Sequence, residues 1–137
     1  MACRDGRTPR GRFFRVSMAI TAAYAVVLVC ATHYPKPERL LGPHAPSDKT
    51  LHFIAYAGLG LLAAATLAAS GRWTAARALG LAAGLALFGV ADEVSQPWFR
   101  RAAEPLDWAF DCLGIAVGIA VVAALVALRP AAAADVQ

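Results

Sequence analysis

From Leu51 to Ser70 the chain carries no Asp, Glu, Lys or Arg, and none occurs again from Cys112 to Leu128. About 17 to 25 apolar residues in a helix match a hydrocarbon core about 30 Å thick. A helix is required there, because lipid offers no partner to an exposed backbone N–H or C=O. Phe13 to Ala31 and Ala75 to Ala91 are two further apolar runs. The hydrophobic fraction of 59% and charged fraction of 16% depart from the roughly 45–50% and 25% of soluble domains in the direction of a membrane protein. A soluble bundle of this length would need a polar face on each helix, and these runs lack one. The expectation is an all-α integral membrane bundle of four transmembrane helices at about 13–31, 51–69, 75–91 and 109–128. The third run is short and rich in Ala and Gly, so a buried helix is its alternative.

The net charge of +4 is read as a topology signal, and no nucleic-acid partner is expected. Arg4, Arg7, Arg10, Arg12 and Arg15 precede the first run, where basic residues hold a segment in the cytoplasm. With four crossings both termini are then cytoplasmic, and the remaining inner basic residues are Arg72, Arg77 and Arg129. The chain divides into a basic N-terminal segment (1–12), a membrane domain (13–128) and a short tail (129–137). The first run is expected to be a retained helix. Cleavage near Ala23-Tyr24-Ala25 would strand the apolar residues that follow. Val29 before Cys30 argues against a lipid-modified cysteine, and the scattered Cys3, Cys30 and Cys112 form neither a disulfide framework nor a CxxC metal motif.

Pro35, Pro37, Pro43 and Pro46 exclude a continuous helix between the first two runs. Ser70-Gly71-Arg72 marks a tight turn, and Ser47 stands where a helix N-cap is expected. Two GxxxG pairs, Gly80/Gly84 and Gly114/Gly118, permit close helix approach in lipid. They predict tight packing of spans two, three and four, and offer a route to a homo-oligomer.

Polar residues gather where three runs meet one membrane face. On a helix Asp48, His52, Tyr56 and Leu59 form one stripe, with Lys49 beside it. The third run ends in Asp92, Glu93 and Gln96, and the fourth begins with Asp107, Asp111, Gly114 and Gly118 on one face. Asp111 lies one turn inside its helix, where a carboxylate costs a few kcal/mol unless it finds protein, water or a ligand. With four crossings, Lys49, His52, Tyr56, Asp92, Glu93, Gln96, Arg101, Asp107 and Asp111 converge at the outer face. The blander alternative is an ion-paired network that only joins the helices.

At these residues the chain resembles the VanZ-like family of small bacterial membrane proteins. The family's acid-Lys-x-x-His-Phe-x-x-Tyr-x-x-Leu pattern stands here as Asp48, Lys49, His52, Phe53, Tyr56 and Leu59, and its Asp-Glu-x-x-Gln as Asp92, Glu93 and Gln96. An arginine follows, then residues at the spacing of Asp107, Asp111, Gly114 and Gly118. The match covers residues 48–118. The chain departs in reading PWFRR where the family has Phe-x-Pro-Gly-Arg, so either Arg100 or Arg101 takes the arginine's place, with the spacing to Asp107 favouring Arg101. It also carries Asp111 at the family's Asn position, a change that adds a charge. The resemblance implies a multi-pass protein of the bacterial cytoplasmic membrane, and a founding member linked to low-level teicoplanin resistance.

The leading expectation is a binding or envelope-modulating protein whose outer cluster engages a membrane lipid headgroup, a cell-wall precursor or a lipid-modified glycopeptide antibiotic. Lys49 and Arg101 would contact phosphate or carboxylate, and His52, Tyr56 and Gln96 would hydrogen-bond. No cofactor is required by the sequence, although the carboxylates suit a divalent cation such as Mg²⁺. An alternative is an enzyme acting on lipid-linked phosphate or sugar, with His52, Glu93 and Asp92 as catalytic groups. Another is a small oligomeric transporter that titrates Asp111.

Overall fold

The computed structural model describes residues 9–35, 42 and 46–128. Expectations for residues 1–8, for Cys3, Pro37 and Pro43, and for the tail at 129–137 lie outside the described residues. Four helices, α1 (Pro9–Thr32), α2 (Asp48–Ala69), α3 (Ala75–Ser95) and α4 (Pro105–Ala127), form an all-α bundle, with a short 3₁₀ turn at Gln96–Phe99. All four contain a segment long and apolar enough to cross a membrane, and the chain is a multi-pass membrane protein.

Local chemistry sets the helix ends. The Thr50 N–H donates to Ser47 Oγ (3.3 Å) and opens α2, and the Arg77 N–H donates to Thr74 Oγ1 (3.2 Å) and opens α3. After α2, Gly71 sits at φ +73°, the left-handed conformation that closes many helices without a Cβ penalty. Pro105 starts α4, where its missing N–H is harmless. Helices three and four extend beyond their apolar runs, to Ser95 and back to Pro105. Asp92, Glu93, Asp107 and Asp111 therefore stand on regular helix and project at fixed angles.

The closest helix pair is α2 with α4. A Cβ on Gly60 would fall 2.8 Å from the Ile115 carbonyl oxygen, and one on Gly114 would fall 2.8 Å from the Ala57 nitrogen. Gly118 likewise lies against the α2 backbone at Ala57 and Leu61. Backbone thus touches backbone along this seam, which is how helices gain dispersion contact where hydrophobic burial gives no drive. α1 packs on α2 and α3 on α4, while α3 meets α2 only sparsely. The expected tight trio of spans two, three and four is corrected to a tight pair with two flanking helices. The two GxxxG pairs also part ways. Gly114 and Gly118 are used within the chain, whereas Gly80 and Gly84 have nothing within 4 Å of an added Cβ.

Leu28, Tyr56, Leu59, Ala64, Ile115, Ile119 and Val122 form the apolar core. Many large apolar side chains, among them Phe13, Val27, Ile54, Leu79, Leu87, Val94 and Leu125, face outward. Buried charge combined with an apolar exterior is the arrangement that lipid selects.

Candidate functional site

The chain crosses four times and reverses direction after each of the first three helices, so the end of α1, the start of α2, the end of α3 and the start of α4 share one end of the bundle. There His52, Asp92, Glu93, Gln96, Asp107 and Asp111 are buried, with Gln96 and Asp111 at 0% exposure. Helical spacing stacks His52 over Tyr56 on α2 and Asp107 over Asp111 on α4. Close approach of α2 and α4 then brings the two rows together.

His52 is the hub. Its Nδ1 lies 2.9 Å from Asp111 Oδ1 and 3.7 Å from Glu93 Oε1, while Nε2 lies 3.4 Å from an Arg101 nitrogen. Arginine can only donate and a carboxylate accepts, so the network assigns a neutral ring with Nδ1–H donating to Asp111 and a lone pair on Nε2. Arg101 donates through Nη1 to the Thr32 carbonyl (2.7 Å) and through Nη2 to both oxygens of Asp48. It thereby ties the loop before α4 to α1 and α2. Arg101 reaches the cluster because Arg100 takes φ +62° and turns the chain, with the Arg101 N–H donating to the Gln96 carbonyl (3.3 Å). Of the two arginines left open by the sequence, Arg101 enters the site.

A second knot centres on Asp92. Thr32 donates to its Oδ1 (2.9 Å) and the Tyr56 hydroxyl to its Oδ2 (3.1 Å). His33 Nδ1 lies 3.4 Å away, and its Nε2 meets Ser95 Oγ at 2.9 Å. Phe99 packs edge-on against the His33 ring with centroids 4.7 Å apart, which pins the 3₁₀ turn to α1. Glu93 accepts from Gln96 Nε2 (3.0 Å) and from the Glu104 N–H at the start of α4 (3.1 Å). Lys49 stays at the rim, 2.9 Å from Glu104 and 3.5 Å from Asp107.

All nine residues singled out in the sequence reach this end, though not in equal roles. Lys49 pairs with acids at the edge, and Tyr56 and Gln96 hold carboxylates in place. Thr32, His33, Ser95 and Glu104 were not among the expected site residues. The only hint for the first two was a polar Thr-His pair directly after an apolar run. Asp48 entered the sequence reading as part of a stripe and turns out to be the partner of Arg101.

Beside the cluster, between α1 and α2, lies a cavity of about 380 Å³. Leu51, Ile54 and Ala55 make its apolar wall, and Thr32, Asp48, His52 and Arg101 its polar end. Ile54 is 57% exposed, so this wall continues into the lipid-facing surface. Small-molecule sites share this make-up of apolar walls and a few convergent polar groups.

Compared with protein-family models, curated proteins and solved structures, the chain matches none of them.

Proposed function

We propose that the protein is a VanZ-like component of the bacterial cytoplasmic membrane that holds an anionic, lipid-anchored ligand at the cluster end and so modulates the envelope's susceptibility to teicoplanin-type glycopeptides. The cavity carries this reading: one compartment joins a guanidinium and an imidazole to an apolar wall continuous with the lipid-facing surface. Arginine's planar fork suits phosphate or carboxylate, and a hydrocarbon chain would lie along Leu51 and Ile54. A ligand anion would take over the Arg101 donors that Asp48 now holds, a feasible exchange because the Asp48 side chain is 42% exposed. The order and spacing of the Asp48-to-Gly118 motifs support the family reading by resemblance, the resistance phenotype is carried over from that resemblance, and the positive-inside rule favours the outer face for the cluster.

The test is retention of a radiolabelled polyprenyl phosphate by protein in lipid nanodiscs, against neutral polyprenol and a lipid-modified glycopeptide as competitors. Preferential retention of the phosphate, reduced at least tenfold by Ile54→Trp, which fills the cavity wall without touching a buried charge, supports a lipid phosphate. Displacement by the glycopeptide alone assigns the drug as the ligand. Equal retention of polyprenol, or no effect of Ile54→Trp, rejects the site.

One observation favours an enzyme as the second reading. Asp111 orients the His52 ring so that the basic Nε2 borders the cavity, the arrangement of a general base with its orienting carboxylate. In that reading Glu93 and Asp92 support the electrostatics of the dyad. Steady product release from the bound phospholipid, abolished by His52→Gln at unchanged retention, would establish it.

A further inference from the structure

Glu93 and Asp111 are buried carboxylates that no lysine or arginine reaches among the described residues. Arg101 is engaged by Asp48, and Lys49 by Glu104 and Asp107. His52 alone stands between them. Isolated charges in such surroundings are costly unless paired or bound to a metal.

The ligand geometry is close to what an ion needs. His52, Glu93 and Asp111 each offer one atom, and these atoms lie within 4.8 Å of one another. Metal–ligand bonds of about 2.0–2.2 Å place adjacent donors about 3.0–3.4 Å apart. The observed separations of 2.9 Å from Nδ1 to Asp111 and 3.7 Å from Nδ1 to Glu93 differ from that by a few tenths of an ångström. A second, independent sign is a set of orphaned acceptors. Gln96 Oε1 and Asp111 Oδ2 are fully buried and receive no hydrogen bond. Gln96 is 0% exposed, and its amide is held against Glu93. An unsatisfied buried acceptor costs about 1–3 kcal/mol, and one cation satisfies several at once.

We propose that His52, Glu93 and Asp111 form a divalent-cation site at the junction of α2, α3 and α4, with the Gln96 carbonyl beside it. One imidazole nitrogen among oxygen donors fits a first-row ion of the Mn²⁺ or Zn²⁺ class better than Ca²⁺ or Mg²⁺, which take oxygen alone. On binding, the ring proton moves from Nδ1 to Nε2, so the imidazole stays neutral and gives its Nδ1 lone pair to the metal. The proton on Nε2 ends the 3.4 Å approach of the Arg101 nitrogen, and Asp48 and Asp107, each with a carboxylate oxygen within 4.8 Å of a His52 nitrogen, would have to draw closer to accept it, as outer carboxylates do in many metal sites. The site stands apart from the lipid reading, since it is built from the other ring nitrogen and can fill with no lipid present.

The full chain, carried on an affinity tag without histidine, is stripped with chelator in detergent micelles and titrated with Mn²⁺ and then Zn²⁺. The expected result is one ion per chain by elemental analysis, with electron spin echo modulation from one directly bound imidazole ¹⁴N. That signal survives in His33→Gln and Lys49→Gln, and affinity falls at least tenfold in Glu93→Gln and Asp111→Asn. Folded wild-type protein that takes up neither ion, or takes up Mn²⁺ without the ¹⁴N signal, overturns the proposal. So does binding that both carboxylate variants leave intact. If those two variants fail to fold, the wild-type stoichiometry and ¹⁴N signal decide.

Discussion

The two ends of this bundle use the same four helices and spend polarity differently. At the end away from the cluster, Thr66 meets Ser17 (2.7 Å) and Thr21 (2.9 Å) between α1 and α2. Each threonine also donates to a carbonyl one turn back in its own helix, Thr21 to Ser17 and Thr66 to Leu62, both at 2.9 Å. Those hydroxyls keep a partner if the neighbouring helix moves away. At the cluster end Asp92 depends on α1 and α2 and Asp111 on α2, with no such fallback, and Glu93 alone has a local donor, Gln96, beside its bond to the start of α4. Local satisfaction makes a tolerant contact, and satisfaction across helices makes a site whose members stand or fall together.

That contrast orders the effects of substitution. The largest is expected for Gly114→Val, where the new side chain meets Phe53 and Ala57 backbone that has no room to yield. Folded protein in bicelles should lose at least about 3 kcal/mol in a denaturant titration. Asp92→Ala comes next, because it strands the buried Tyr56 hydroxyl and removes the bond that Thr32 makes to α3, leaving Thr32 only the Val29 carbonyl of its own helix (3.1 Å), and about 2 kcal/mol is expected by the same titration. At the opposite end Thr66→Val removes the bond that Ser17 donates to Thr66 and the contact with Thr21, which spends its one hydroxyl proton on its own helix; an interhelical bond in lipid averages about 0.6 kcal/mol, so about 1 kcal/mol is the expected limit. A loss at Thr66 as large as at Asp92 would break the comparison. Gly84→Ala should change stability by no more than about 0.5 kcal/mol, since it enters open space on a helix that alanine favours. A large effect there, with a change in sedimentation, would instead mark a helix-helix contact between copies.

Much of this architecture is written in the sequence, because hydropathy and strict alternation of direction are enough to bring residues 48–56, 92–96 and 107–111 to one end. Burial of Asp111 follows from its depth in an uncharged run. Other features depend on rotation about helix axes, which lipid-facing helices barely encode. Gly80/Gly84 and Gly114/Gly118 are the same motif, yet only the second meets a backbone, because α1 and α3 flank a central pair. The part played by Thr32 and His33 was hidden for a similar reason. The second half of α1 is apolar up to Ala31, so that stretch does not say which face turns inward, and a polar pair after it reads as loop. The spacing to Asp107 favours Arg101 over Arg100, and the left-handed angle at Arg100 is the backbone turn that brings Arg101 in, a conformation that an arginine in sequence does not announce.

The central claim is that the charges of the cluster end serve a ligand as well as the fold. It is tested most directly by measuring polyprenyl phosphate affinity and melting temperature on the same samples of wild type and Arg101→Gln. Arg101 is held by Asp48 and by one carbonyl. Its loss should therefore cost little stability, because Asp48 returns to solvent, and should weaken ligand retention at least tenfold. Retention that tracks the melting temperature, or wild-type protein that holds no phosphate lipid, would contradict the account and leave the cluster as a joint between helices.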